Sequence, residues 1–288
     1  METLVKPTIT VEATIQATLK AVWTHWTSPS SIVKWNSASP DWHTPEAGHE
    51  LKPGGRFRYR MEAKDGSTGF DFTGTFDDVR PHELLTYTMD DGRKVAISFA
   101  QVGQETHISE SFEAEDTHSL DQQREGWQSI LNNFKTFVEK KHRLVKFNFD
   151  IFIQAPPEKV YTAMLSKEHY TEWTEAFCPG SYFEGSWEKG SEIKFLALHE
   201  NGEAMGMRGH IKENIPGKFV SINYDGVVGS GMESEAEAWS EAYENYSYDE
   251  ENGGTRLTVE LTGTEEYQEF FSSAWPLALN KLKQICEQ

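Results

Sequence analysis

Cysteine is almost missing from this chain, with only Cys178 and Cys286 among 288 residues. Both fall in the second half, one in a Phe-Cys-Pro-Gly stretch and one near the C-terminus, so a disulfide framework is not expected and Cys178, without a basic neighbour, reads as an inert thiol. Long apolar runs are missing too. Nothing approaches the roughly 18–20 residues that cross a bilayer, so no transmembrane segment is expected. The start, Met1-Glu2-Thr3-Leu4-Val5-Lys6, lacks the order of a signal peptide, and a cytoplasmic protein is the expectation. Positive charge is scarce. Lys and Arg number 27 against 46 Asp and Glu, a net charge of −19. Up to His142 the count is 15 basic against 21 acidic, net −6, and beyond it 12 against 25, net −13. That balance excludes a nucleic-acid partner, because phosphate backbones demand clustered Lys and Arg. The one basic alternation, Arg56-Phe57-Arg58-Tyr59-Arg60, reads as a solvated strand face whose arginines pair with Glu62 and Asp71.

What the chain has is a repeat. Residues 15–35 lie over 153–173 without a gap, matching Ile15-Gln16-Ala17 with Ile153-Gln154-Ala155 and Trp35 with Trp173. A second block sets Gly74 on Gly209 and Pro81 on Pro216, and a third sets Trp127, Leu131, Asn132 and Lys135 on Trp275, Leu279, Asn280 and Lys283. Three blocks in one order imply two homologous domains, 1–142 and 143–288, each of ordinary single-domain size.

Each copy opens with a strand, about Thr8 to Gln16 and about Val145 to Ala155. Two short helices follow, Leu19 to Trp26 and Pro29 to Trp35 in the first copy, Glu158 to Leu165 and Lys167 to Trp173 in the second, and then a long Gly/Pro/acid loop. Antiparallel strands come next. Period-two faces run through Phe57, Tyr59 and Met61, through Phe70, Phe72, Gly74 and Phe76, through Leu85, Tyr87 and Met89, and through Val95, Ile97 and Phe99. Hairpin turns are expected at Lys64-Asp65-Gly66-Ser67 and Asp90-Asp91-Gly92-Arg93. A helix over about Gln122 to Lys140, with Trp127, Ile130, Leu131, Phe134 and Val138 at helical spacing, closes the copy. The order predicts an α+β fold, a curved antiparallel sheet wrapped on a long C-terminal helix, made twice.

The first copy, through Val22-Trp23, Trp26, Pro29 and Trp35, then Pro53-Gly54-Gly55-Arg56-Phe57, Asp65-Gly66-Ser67-Thr68-Gly69-Phe70-Asp71-Phe72, Asp91-Gly92-Arg93 and Gly126-Trp127-Gln128, resembles the activator-of-heat-shock-protein-90-ATPase homologue family. That family belongs to the START-like (SRPBCC, helix-grip) superfamily. The second copy keeps the framework and loses the Gly-Gly-Arg-Phe and Asp-Gly-Ser signatures. The resemblance implies two START-like helix-grip domains, each with an apolar cavity between sheet and C-terminal helix, of the kind the superfamily uses for lipids, hormones or polyketide-like molecules. It also implies a possible chaperone partner or stress-related role. The co-chaperones that name the family carry a further N-terminal domain, whereas both halves here are helix-grip copies, so direct chaperone activation is not the expectation.

Alternation puts Glu110 on the cavity face between Ile108 and Phe112, where burial should raise its pKa unless Tyr59, Tyr87, His25 or Arg93 bonds it. It could read a polar group on a ligand, act as a general acid or base, or be satisfied by water or an internal hydroxyl. His25 could point into the same hollow. Phe72, Phe99, Trp127 and Leu131 are expected to complete the first binding site, and Met205, Met207, Tyr246 and Trp275 the second, whose adaptable Met side chains suit varied apolar molecules. No catalytic residue, cofactor or metal is assigned. Asp41-Trp42-His43 with His49-Glu50 is too loosely spaced for a metal site, and His199-Glu200 lacks the second His of a zinc motif, having Glu203 there. Gly226, Gly229 and Gly231 are in the wrong order for a dinucleotide fingerprint. Around them the second copy carries about 14 extra residues between Asp225 and Ser240, with Glu233, Glu235 and Glu237 at alternate positions and Trp239 near the next strand: a solvated hairpin or a lid. The leading expectation is noncatalytic binding of a small apolar or amphipathic ligand, with the first copy as binder. The alternatives are a cyclase or hydrolase-like enzyme acting on a polyketide-like substrate through Glu110, and an acidic protein-interaction module.

Overall fold

The computed structural model describes residues 6–198, 202–229 and 242–288. Contacts divide the chain into two compact units, Met1–His142 and Arg143–Gln288.

In the first unit β1 (Thr8–Ile15) leads into α1 (Leu19–Thr27) and α2 (Pro29–Trp35). Thr18 caps α1 by accepting from the Ala21 amide, and Pro29 sits where α2 needs no donor. Then come β2 (Trp42–His49), β3 (Arg56–Ala63), β4 (Gly69–Arg80), β5 (Leu84–Met89), β6 (Lys94–Val102) and β7 (Glu105–Glu113), and α3 (Leu120–His142) closes the unit. Ser119 and Gln122 form a reciprocal capping box at the start of α3, their side chains and amides meeting at 3.2 Å. The strands form a seven-stranded antiparallel sheet in the order β1-β7-β6-β5-β4-β3-β2. Gly66 and Gly92, with φ of 73° and 86°, supply the left-handed residue of the two hairpin turns. A bulge between Phe76 and Asp78 bends β4, so the sheet curls around α3.

The second unit repeats this order. β8 (Leu144–Ile153), α4 (Pro157–Leu165), α5 (Lys167–Trp173), β9 (Tyr182–Gly185), β10 (Glu192–Leu198), β11 (Ala204–Ile215), β12 (Phe219–Val228), β13 (Tyr243–Glu251), β14 (Gly254–Thr264) and α6 (Gln268–Cys286) build a sheet ordered β8-β14-β13-β12-β11-β10-β9. Of the two irregularities in its β11–β12 ladder, the one between Ile211 and Glu213 falls at the position matching the first. Both units are α+β helix-grip folds.

Several expectations need correction. The stretches expected as loop after the second short helix contain the edge strands β2 and β9. Pro45 hides β2 from a periodicity reading, and is tolerated because it lies in the bulge between His43 and Glu46 on a strand paired on one side only. Phe70, expected on the inward face, is 50% exposed and lies against Trp42 at 6.0 Å. Asp225 to Val228, expected in the insertion, continue β12. Gly229 is the last residue described there, and Gly231, Glu233, Glu235, Glu237 and Trp239 lie outside the described residues, as do His199 and Glu200. The arginine face pairs as charge alternation implies, Arg58 with Asp71 and Arg60 with Glu62, both at 3.0 Å, and Arg56 adds Asp90 at 2.7 Å. Among the described residues no helix is long and apolar enough to cross a membrane.

Candidate functional site

Each unit holds a cavity between its sheet and its closing helix. In the first unit it measures about 80 Å³, and its lining includes Tyr59, Phe72, Tyr87, Glu110 and Trp127. This is room for a few waters, well below the volume of a drug-sized ligand. Aromatic rings fill the rest. Phe57 lies 5.6 Å from Phe72 and 5.3 Å from Phe76, and Trp127 stacks on Phe112 at 4.0 Å.

Glu110, 5% exposed, sits opposite Ile97 on β6 and Val11 on β1. Among the described residues no side chain bonds its carboxyl, and burial alone lifts its pKa to about 8. The nearby phenol of Tyr87 is itself pushed well above its ordinary value, by burial first and by Glu110 second. Tyr59 is engaged by His49, at 3.1 Å.

Three residues expected in this site lie elsewhere. The ring of His25 bonds Ser31 at 3.0 Å through Nδ1 and His142 at 3.1 Å through Nε2. Burial, aided by His142 and two lysines, lowers its pKa to about 3. The register of α1 turns it toward the end of α3 and away from the cavity. Phe99 is core, 5.2 Å from Trp23 and 5.7 Å from Trp26. Leu131 is fully buried in that core, and its neighbours Trp127 and Ile130 line the cavity instead. His43 pairs with Glu62 at 3.3 Å, and among the described residues no group of three or more His, Cys, Asp or Glu could hold a metal ion.

The second cavity is larger, about 530 Å³, and Met205, Met207, Tyr246 and Trp275 all line it. Strand register explains the gain. Phe57, Phe72, Phe76, Tyr87 and Phe112 of the first unit correspond to Ile193, Met207, Ile211, Ile222 and Leu261, so five rings become aliphatic side chains, Met207 and Leu261 in the cavity wall itself, against two changes the other way, Met89 to Tyr224 and Ile97 to Tyr246. The closing helix is also held less. In the first unit Gln128 on α3 donates to the Glu12 carbonyl of β1 at 3.0 Å, and the matching residue on α6 is Pro276, which cannot. Lower anchors are kept in both: Lys135 to the Thr14 carbonyl and Lys283 to that of Phe152, Glu139 to the Gln16 amide and Glu287 to that of Gln154. Trp275 stacks on Phe149 of β8 at 5.8 Å, whereas its counterpart Trp127 stacks on β7.

The polar feature of this cavity is Glu244 on β13, a buried residue missing from the expected site. Tyr224 donates to one of its oxygens at 2.9 Å and Tyr246 to the other. Burial raises its pKa and the two phenol bonds oppose the rise. Register matches Glu244 to Val95 and Glu110 to Val259, so the carboxylate has moved one strand across the sheet. Block comparison looks for the same residue at the same position and passes over such a move. The alternation Glu244, Tyr246, Tyr248 was the signal that could have found it.

The family model described as "Activator of Hsp90 ATPase homolog 1-like protein" matches residues 16–139 and, again, 154–287. The chain belongs to that family. A solved AHSA1-like protein of Aeromonas hydrophila is 49% identical over 46% of this chain and 92% of its own, with a TM-score of 0.45. A protein of Cytophaga hutchinsonii is 50% identical over 46% of this chain and 91% of its own, TM-score 0.42. The di-domain ARO/CYC BexL of the BE-7585A biosynthetic pathway spans 98% of this chain and 99% of its own at 14% identity, TM-score 0.39. No curated protein matches the chain. Within this AHSA1-family tandem the two copies thus differ where a ligand would sit: one is filled with rings, the other hollow.

Proposed function

We propose that this protein binds a small apolar or amphipathic molecule, without turning it over, in the cavity of its second unit. The observation that carries this reading is a hollow of about 530 Å³, within the range of ligand sites, walled by aromatic and Met side chains around one polar cluster. The first unit, expected to be the binder, has the same frame filled with rings and reads as the scaffold copy. A chaperone partner, which the family's description carries, would use an outer surface and is compatible with a filled cavity.

The test restores the rings of the first unit. In Met207→Phe combined with Leu261→Phe the hollow should shrink, and binding of a neutral probe, butylbenzene, should fall at least about tenfold. Native mass spectrometry of the purified wild type should show a small molecule that the double variant lacks. Unchanged probe binding in a folded double variant would sink the reading.

An enzymatic reading has one specific support, the unpaired Glu110 with a pKa near neutrality. A cyclase or hydrolase-like step there would need the first cavity to open well beyond about 80 Å³. Turnover lost in Glu110→Gln and kept in Glu244→Gln would favour it.

A further inference from the structure

We infer that the second cavity is built for an organic cation, an apolar molecule carrying one protonated nitrogen that pairs with Glu244 while its body fills the aromatic hollow. This deepens the binding reading above and rests on it.

Among the described residues the lining of the cavity carries one carboxylate and no Lys, Arg or His. An isolated carboxylate out of water is costly, and two phenol donors offset only part of that cost. A protonated nitrogen on the occupant would supply the missing half of the pair. A cation supplies it, a neutral molecule leaves the cost standing, and an anion adds repulsion.

The walls agree with this charge. Tyr170, Phe195 and Tyr224 form a run of rings, Tyr170 stacked on Phe195 at 6.0 Å and Phe195 edge-on to Tyr224 at 6.1 Å, and their faces carry the negative lobe of the ring quadrupole. The phenol of Tyr170, which lines the cavity with Glu244, is raised by burial first and then by that carboxylate. The net charge of −13 beyond His142 favours the approach of a cation as well.

The cluster also stands at positions that are apolar in the first unit. Where the second unit has Glu244, Tyr246 and Tyr224, the matching positions of the first are Val95, Ile97 and Met89. Three apolar side chains in one copy correspond to a carboxylate and its two donors in the other.

The experiment uses the whole chain and three probes of one shape: 3-phenylpropylamine, protonated at pH 7.5, the neutral butylbenzene, and the anion 4-phenylbutanoate, titrated by protein-detected NMR at low salt. The amine should bind about tenfold or more tightly than butylbenzene, and the anion should bind least. In Glu244→Gln the amine should lose its preference, binding no more tightly than butylbenzene does to the same variant. Butylbenzene binding as well as the amine in wild type, or a Gln variant that keeps the preference, would overturn the inference and leave the cavity reading standing. If none of the three binds, the cavity reading falls and the inference with it. The wild-type ranking decides even where the Gln variant fails to fold.

Discussion

Glu110 enters the folded state at a cost set by its proton. Its pKa rises from an ordinary 4.5 to about 8 on burial, so between those values the folded chain holds a proton that the unfolded chain has lost. Stability from this group is therefore complete below the lower value and drains away as pH rises, by about 1.4 kcal/mol per pH unit. Gln has the same shape and no such proton. Urea unfolding at pH 5, 6.5 and 8 should show the difference between Glu110→Gln and wild type moving in favour of Gln by about that slope, and a pH-independent difference would reject the assignment. A second residue-scale device occurs twice. Thr106 donates to the Ala17 carbonyl at 2.9 Å and Thr255 to that of Ala155 at 2.6 Å, each fully buried and each tying the strand beside the first strand to the turn before the first helix. Thr106→Val strands that carbonyl and should cost about 1–3 kcal/mol, read as a lower urea midpoint with unchanged slope.

At the scale of elements, the closing helix decides how much space lies beneath it. Gln128 fixes the upper half of α3 to β1, and Pro276 leaves the same half of α6 without that clamp. Gln128→Ala should lower stability by roughly 1 kcal/mol and speed amide exchange in the first half of α3, with its second half, held by Lys135 and Glu139, unaffected. Loss of protection spread evenly along α3 would show that the clamp is not local. These elements were largely legible in the sequence, because Leu19–Thr27, Pro29–Trp35 and the central strands carry period and caps in their own residues. The edge strands were not, since β2 holds one ladder only, with a proline in its bulge. Glu110 was found by alternation, which fixes the face of a strand residue. His25 was misplaced because a helix face also depends on what packs against it, here His142, 117 residues further on. Glu244 escaped because a polar group that changes strand keeps neither position nor pairing partner.

Across the whole molecule, the duplication has produced two separate cores. The buried cluster of the first unit runs from Ile9 to Val138, and that of the second from Phe147 to Cys286, with no residue shared. Each unit of about 140 residues is large enough to bury a self-sufficient core. Residues 1–142 and 143–288 expressed separately should each unfold cooperatively in urea, with near-UV circular dichroism intact before the transition. Charge then separates them. With a net of −13 against −6, the second half carries the greater self-repulsion, and salt that shortens the Debye length to about 3 Å at 1 M should raise its midpoint more than that of the first. Glu110 adds its loss of stability with rising pH to the 1–142 fragment alone, and Glu244, whose pKa is raised by burial, adds one of the same sign to the other. A half that keeps far-UV signal while losing near-UV signal and cooperativity would mean that its core needs the other copy, and would refute two independent folds.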